Sequence, residues 1–195
     1  MNAEITVHDR RSQPAIAVFC GANPGHAPEY AVVAAALGRC VAAAGCTLVY
    51  GGASVGTMGV LADAALRAGG TVTGVIPRSM VEREVAHRGL ADLRITDSMH
   101  ERKALMLKLA DAVAVLPGGL GTLDELFEVV TLNLLSFTAK PVGLVNGGYY
   151  DGLLAFLGTV YDSGFSHKAP MDYLIVDSNP GHLVARLLHA VPRRQ

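Results

Sequence analysis

The chain contains no tryptophan and only three cysteines, and charged side chains make up 17% of its 195 residues. With so few charges and a net charge of −1, it is not expected to bind nucleic acid or an anionic membrane electrostatically. Arg193 and Arg194 at the extreme C-terminus read as a solvated end. Cys20, Cys40 and Cys46 form no CxxC pair, and an odd count suits reduced thiols and a cytoplasmic location. Cys40 is expected in a helix core, Cys46 at a strand start and Cys20 at the end of the first strand. The seven histidines include no HExxH and no His/Cys spacing suited to zinc, so no metal site is expected. No GxSxG elbow is present, and none of the four lysines sits where a pyridoxal phosphate Schiff base would be anticipated. No cofactor is therefore expected. No apolar run is long enough to span a membrane, and residues 1–14 lack the apolar core of a signal peptide. Those residues read as a flexible arm, and 192–195 as a C-terminal tail.

What the chain does have is a hydrophobic fraction of 51%. At this length that suits one well-buried α/β domain over residues 15–191, with apolar surface to spare for an oligomer face. Strand-like runs occur at Ile16–Cys20, Thr47–Tyr50, Val72–Ile76, Leu93–Ile95, Ala112–Leu116, Val142–Val145 and Leu174–Val176. Helical patterns fall at Pro28–Ala44, Gly56–Ala68, Met99–Ala110, Thr122–Phe137, Tyr150–Ser163 and Pro180–Ala190. The strands show no polar alternation, as in a sheet covered on both faces. Alternating strands and helices imply a doubly wound, mostly parallel sheet with helices on both sides.

Ligands of such sheets bind beyond the carboxyl ends of the strands. Three glycine-rich turns fall there: Cys20–Gly25, Gly51–Gly59 and Pro117–Thr122. Three on one edge suggest close backbone approach to a ligand. The last turn, Pro117-Gly118-Gly119-Leu120-Gly121-Thr122, opens a long helix, whose free N–H groups and dipole suit a phosphate. No Gly-Lys-Ser/Thr follows, and the third glycine of GxGxxG is missing, so neither common nucleotide loop is present.

Thr122-Leu123-Asp124-Glu125 reads as a capping box, which alone makes Glu125 a helix cap; the glycine loop ahead of it also puts that carboxylate beside a ligand. Ser98-Met99-His100-Glu101 is a second capping box. Arg102 and Lys103 then fall in the first turn, where cations oppose the helix dipole at a cost of a few tenths to about 1 kcal/mol, so a role on an anion or carboxylate is anticipated. The charged stretch Pro77–Glu84 is either a lid or a solvated connection. His87 and His100 lie near the expected site as surface or supporting residues.

Together these segments resemble the LOG family of cytokinin riboside 5′-monophosphate phosphoribohydrolases, long mislabelled as lysine decarboxylases. The resemblance is carried by Val49–Gly52 with Ser54–Gly59, by Gly74–Pro77, by Met99–Lys103 as an MHxRK element and by Pro117–Glu125 as PGGxGTxxE. Lys140–Leu144 and Gly148–Asp151 extend it, so that it runs from Ile16 to about Leu188. It implies a Rossmann-like homodimer that hydrolyses the N-glycosidic bond of a nucleoside 5′-monophosphate, with Arg102 and Glu125 as the catalytic pair. It also implies substrate or phosphate contacts from Gly21, Gly52, Glu84, Met99, Lys103, Pro117, Gly118, Gly119, Leu120, Gly121, Thr122 and Thr131. Ala53 and Leu120 depart from the family's commoner glycine and aromatic, and no tryptophan follows the signature; these bear on base preference. Rival readings are a broader purine or pyrimidine nucleotide nucleosidase, a non-catalytic nucleotide carrier, and a pyridoxal phosphate decarboxylase.

Overall fold

The structure, a computed structural model, describes residues 13–81 and 85–192. Strands and helices alternate along the chain. They are β1 (Ala15–Phe19), α1 (Glu29–Ala43), β2 (Thr47–Tyr50), α2 (Gly56–Arg67), β3 (Val72–Pro77), a one-turn α3 (Arg78–Val81) and β4 (Asp92–Thr96). After these come α4 (Met99–Leu109), β5 (Ala112–Val115), α5 (Leu120–Leu134), β6 (Val142–Val145), α6 (Asp151–Asp162), β7 (Ile175–Asp177) and α7 (Pro180–Ala190). A 3₁₀ turn at Pro170–Asp172 precedes β7.

The strands form one sheet in the order β4-β3-β2-β1-β5-β6-β7. Every pairing is parallel. β1 lies at the centre, with Ile16 opposite Leu48 of β2 and Ala112 of β5. The order therefore reverses between β1 and β5, and the chain leaves the two strands towards opposite faces. That divergence opens the crevice in which doubly wound sheets bind ligands.

Consecutive apolar residues make β1, β5 and β6 buried along their whole length, and β3 is buried throughout although it carries Thr73, as a sheet covered on both faces requires. On one face Leu37, Val41 and Leu61 pack with Ile16, Val18 and Leu48. On the other, Met106, Leu126 and Val129 pack with Ala17, Val49 and Val113. A fully buried leucine such as Leu37 contributes about 1.5–3 kcal/mol, so both layers hold the sheet. α1 and α2 approach closely at Gly38, where a methyl group would overlap the Leu61 carbonyl.

The expected strands agree with the observed ones to within about one residue, and the sheet is wholly parallel rather than mostly so. The α5 boundaries differ more. The helix starts at Leu120, two residues before the expected Thr122, and ends at Leu134, short of Phe137. There Ser136 adopts a left-handed φ of 62°, and the Asn133 side chain takes both the N–H and the C=O of Lys140. Among the described residues no helix is long and apolar enough to cross a membrane. Residues 1–12 and 193–195, which include most of the expected arm and tail, lie outside the described residues.

Candidate active site

A cavity of about 790 Å³ opens beyond the carboxyl ends of β1, β2 and β5, bordered by all three glycine-rich turns. Arg102 reaches it from α4. The start of that helix is set by Ser98, whose side chain accepts the Glu101 N–H at 3.1 Å, while Glu101 accepts the Asp97 N–H at 2.9 Å. This is the expected capping box, displaced so that the glutamate reaches the N–H one residue before the cap. Arg102 is thereby one turn in. It donates from Nε to the Val75 carbonyl (3.1 Å) and from Nη1 to Glu125 Oε1 (2.8 Å). Only 6% of the Arg102 side chain and 5% of the Glu125 side chain are exposed. Gly51 makes room for the guanidinium: a methyl group there would overlap Nη2.

The capping box expected at Thr122–Glu125 does not form. Because α5 begins at Leu120 with Gly119 as its uncapped N-cap residue, Glu125 stands in the second turn, beyond reach of the end amides. Its carboxylate turns instead to Arg102. Burial pushes the Glu125 carboxyl above its ordinary value of 4.5, with Arg102 opposing the shift. Desolvation is therefore the larger effect at this carboxylate, and the ion pair offsets it only in part.

The uncapped start of α5 bears on ligand binding. In the first turn of a helix the N–H groups have no intrahelical acceptor, and no side chain fills that role at Gly119. The open amides and the positive end of the dipole border the cavity and suit an anion. Gly118 packs on Thr122 so closely that a methyl group would overlap the threonine side chain. Val55, Met58, Met80 and Val85 add apolar lining of the kind that receives a flat or aliphatic group.

Gly21, Met99, Arg102, Pro117, Gly118, Gly119, Leu120, Gly121, Thr122 and Glu125 all line this cavity. Three residues given contacts by the resemblance do not. Gly52 takes a left-handed φ of 73° and its carbonyl accepts the His87 N–H, so it shapes the turn from behind. Lys103 points to the neighbouring helix, where Nζ meets Asp124 at 2.9 Å and Glu128 at 2.7 Å. Burial pulls the Lys103 ammonium down, but the two carboxylates outweigh it and hold it above its ordinary value. Thr131 is exposed on α5, six residues past Glu125. Glu84 lies outside the described residues.

One neighbour, Thr57, was not singled out in the sequence. Thr57 is buried and donates to the Gly21 carbonyl at 3.0 Å, tying two of the glycine turns together. Its position directly after Gly56, at the start of α2, was the available signal. Cys20 is buried beside it, and burial pushes its thiol up to about 12, so it is a packing residue rather than a nucleophile. His87 is also structural: Nε2 meets Asp63 at 3.1 Å and Nδ1 accepts the Gly89 N–H.

The site thus combines an uncapped helix start, a buried carboxylate held by an arginine, and apolar lining residues. Residues 58–187 match the family model described as "Possible lysine decarboxylase". The chain is 45% identical over 174 residues to a cytokinin riboside 5′-monophosphate phosphoribohydrolase of Rhodococcoides fascians, covering 88% of each chain. A protein of the same name in Mycobacterium tuberculosis is 44% identical over 165 residues, covering 84% of this chain and 88% of the relative. Among solved structures, the molybdenum cofactor binding protein of Rippkaea orientalis superposes with a TM-score of 0.69 at 25% identity, covering 92% of this chain and 98% of that one.

Proposed function

This chain belongs to the LOG family, whose curated members bear the name cytokinin riboside 5′-monophosphate phosphoribohydrolase, and on that premise we propose the following reaction for it. It hydrolyses the N-glycosidic bond of nucleoside 5′-monophosphates, a cytokinin riboside 5′-monophosphate or AMP. Water forms a bond from its oxygen to C1′, and the bond from C1′ to the base nitrogen breaks with its electron pair leaving on the base. The water oxygen loses one proton and the base gains one, giving free base and ribose 5-phosphate.

The observation that carries this reading is the buried Arg102–Glu125 pair lining the same cavity as the open amides of α5. A phosphate seated on residues 118–122 would bring the ribose towards the carboxylate. Cleavage of a glycosidic bond builds positive charge on the sugar, which Glu125 stabilises or meets by orienting the attacking water. Arg102 keeps that carboxylate in register and is itself a poor proton donor. The apolar lining receives the base. Among the described residues no lysine lines the cavity, which favours a hydrolase over a decarboxylase that anchors pyridoxal phosphate. A carrier role without catalysis is the second reading, favoured by the likeness to the molybdenum cofactor binding protein. Three free cysteines suit a reducing, cytoplasmic setting.

Base release from a panel of 5′-monophosphates and their nucleosides tests the proposal. AMP is expected to exceed adenosine by about a hundredfold or more in kcat/KM, because charge-assisted contacts to the phosphate supply binding energy used at the sugar. Equal values for the two would sink the phosphate assignment, and no release from any nucleotide would leave the carrier.

The working unit is proposed to be a homodimer. α6 is apolar yet buries none of its residues fully, and Phe137, Phe156 and Phe165 stand exposed at 76%, 63% and 87%. Exposed apolar surface on and beside α6 suits an interface if the residues form one patch. Light scattering at micromolar concentration is expected to give twice the chain mass; a stable monomer would contradict it.

A further inference from the structure

We propose that Tyr149 is a positioning residue for the phosphate-holding turn, a role that rests on the phosphate reading above. The Tyr149 hydroxyl donates to the Gly118 carbonyl at 2.6 Å. The next residue does the same two positions earlier, the Tyr150 hydroxyl donating to the Leu116 carbonyl at 2.7 Å. Both acceptors belong to the turn between β5 and α5, and both donors sit on the turn between β6 and α6. One turn is therefore fastened to the other by two phenolic hydroxyls.

The need for such a fastening lies in the backbone. The peptide between Gly118 and Gly119 has glycine on both sides, the least restrained arrangement a chain can offer. In a trans peptide the carbonyl and the following N–H point in opposite directions. Holding the Gly118 carbonyl on Tyr149 thus fixes the direction in which the Gly119 N–H is offered. Rotation of that peptide would present a carbonyl oxygen, the wrong end of the dipole, to an anion. The helix cannot prevent this, since the Gly118 carbonyl takes no backbone donor from α5 among the described residues.

The donor is itself well held. Asn146 Oδ1 accepts the N–H groups of Gly148 (3.1 Å) and Tyr150 (2.8 Å), and its Nδ2 donates to Asp151 at 2.7 Å. The Tyr149 ring meets Tyr150 edge to face at 4.9 Å and Tyr30 of α1 at 5.7 Å. Tyr150 is buried, while Tyr149 is 46% exposed and borders the cavity. Loss of the Tyr149 hydroxyl alone therefore acts on the turn rather than on the core.

Calorimetry with ribose 5-phosphate and with adenine, on wild type and Tyr149→Phe, separates positioning from general damage. Ribose 5-phosphate is expected to bind the variant about three- to tenfold more weakly, the range for one lost hydrogen bond. Adenine affinity and Tm should be unchanged, and KM for AMP should rise more than kcat falls. Wild-type affinity for ribose 5-phosphate in the variant would overturn the proposal, as would an equal loss of adenine binding. Failure of the wild type to bind ribose 5-phosphate would overturn it too. A wild type that binds ribose 5-phosphate but releases no base from AMP would sink the hydrolytic reading, and the affinity comparison would still decide the role of Tyr149.

Discussion

Glu125→Gln is expected to lower kcat by about a hundredfold or more, the loss when one preorganised charge is taken from a developing cation, while Tm does not fall. KM should change little, because the carboxylate acts mainly after charge develops on the sugar. The stability half of the expectation follows from the ion pair. Removing one partner of a buried pair is ordinarily costly because a bare charge remains. Glutamine, however, keeps an oxygen that can accept from Arg102 Nη1, and Arg102 retains the Val75 carbonyl. At this carboxylate burial outweighs the arginine, since its pKa is raised.

A raised folded-state pKa fixes the sign of the pH dependence. Stability tied to protonated Glu125 is fully present below the ordinary value of 4.5 and is lost as pH rises through the folded-state value. Glutamine mimics the protonated form at every pH. The Tm of wild type minus that of Glu125→Gln should therefore decline on going from below pH 4.5 upward. A variant with near-normal turnover would remove Glu125 from the chemistry. A Tm difference that instead grew with pH would mean that the arginine outweighs burial at this carboxylate.

Most of the architecture was legible because each element announces itself locally. The uninterrupted apolar runs of β1, β5 and β6 can only be strands buried on both faces. The start of α4 was legible for the same reason, since Ser98 and Glu101, three positions apart, meet within one turn. α5 was misjudged where local rules are weakest. Gly119, Leu120 and Gly121 include two poor helix formers, so the sequence pattern places the start at Thr122. Gly119 in extended conformation can end the loop without a side-chain cap, and that single shift moves Glu125 from a capping position to a turn inside the helix.

Contacts between distant elements were not legible from local spacing. Lys103 beside Arg102 in a first helical turn reads as a cation for an anion or a carboxylate, and it meets two carboxylates whose identity the sequence does not give. Its partners Asp124 and Glu128 lie 21 and 25 residues ahead, on a helix whose rotation relative to α4 no spacing rule supplies. The same holds for Thr57 on the Gly21 carbonyl and for the hold of Tyr149 on Gly118. The Arg102–Glu125 pairing was foreseen only through family resemblance. Charge alone would have allowed Arg102 to pair with Asp124 equally well.

Arg102→Ala is expected to lower kcat by about a hundredfold and to raise KM by about tenfold, because its charge acts on bound substrate as well as on Glu125. Here stability should fall as well, since alanine leaves a carboxylate that is 5% exposed without its only ion-pair partner among the described residues. Arg102→Lys should recover little. An ammonium is a point charge, whereas the guanidinium spans the Val75 carbonyl and the Glu125 carboxylate with donors in fixed geometry. The double variant Arg102→Ala/Glu125→Gln decides whether the two side chains work as one unit. If Arg102 acts chiefly by holding Glu125, its removal costs little more once the carboxylate is neutral, and kcat of the double variant should stay within about tenfold of Glu125→Gln. A kcat loss equal to the product of the two single losses would mean that Arg102 contacts the reacting sugar independently.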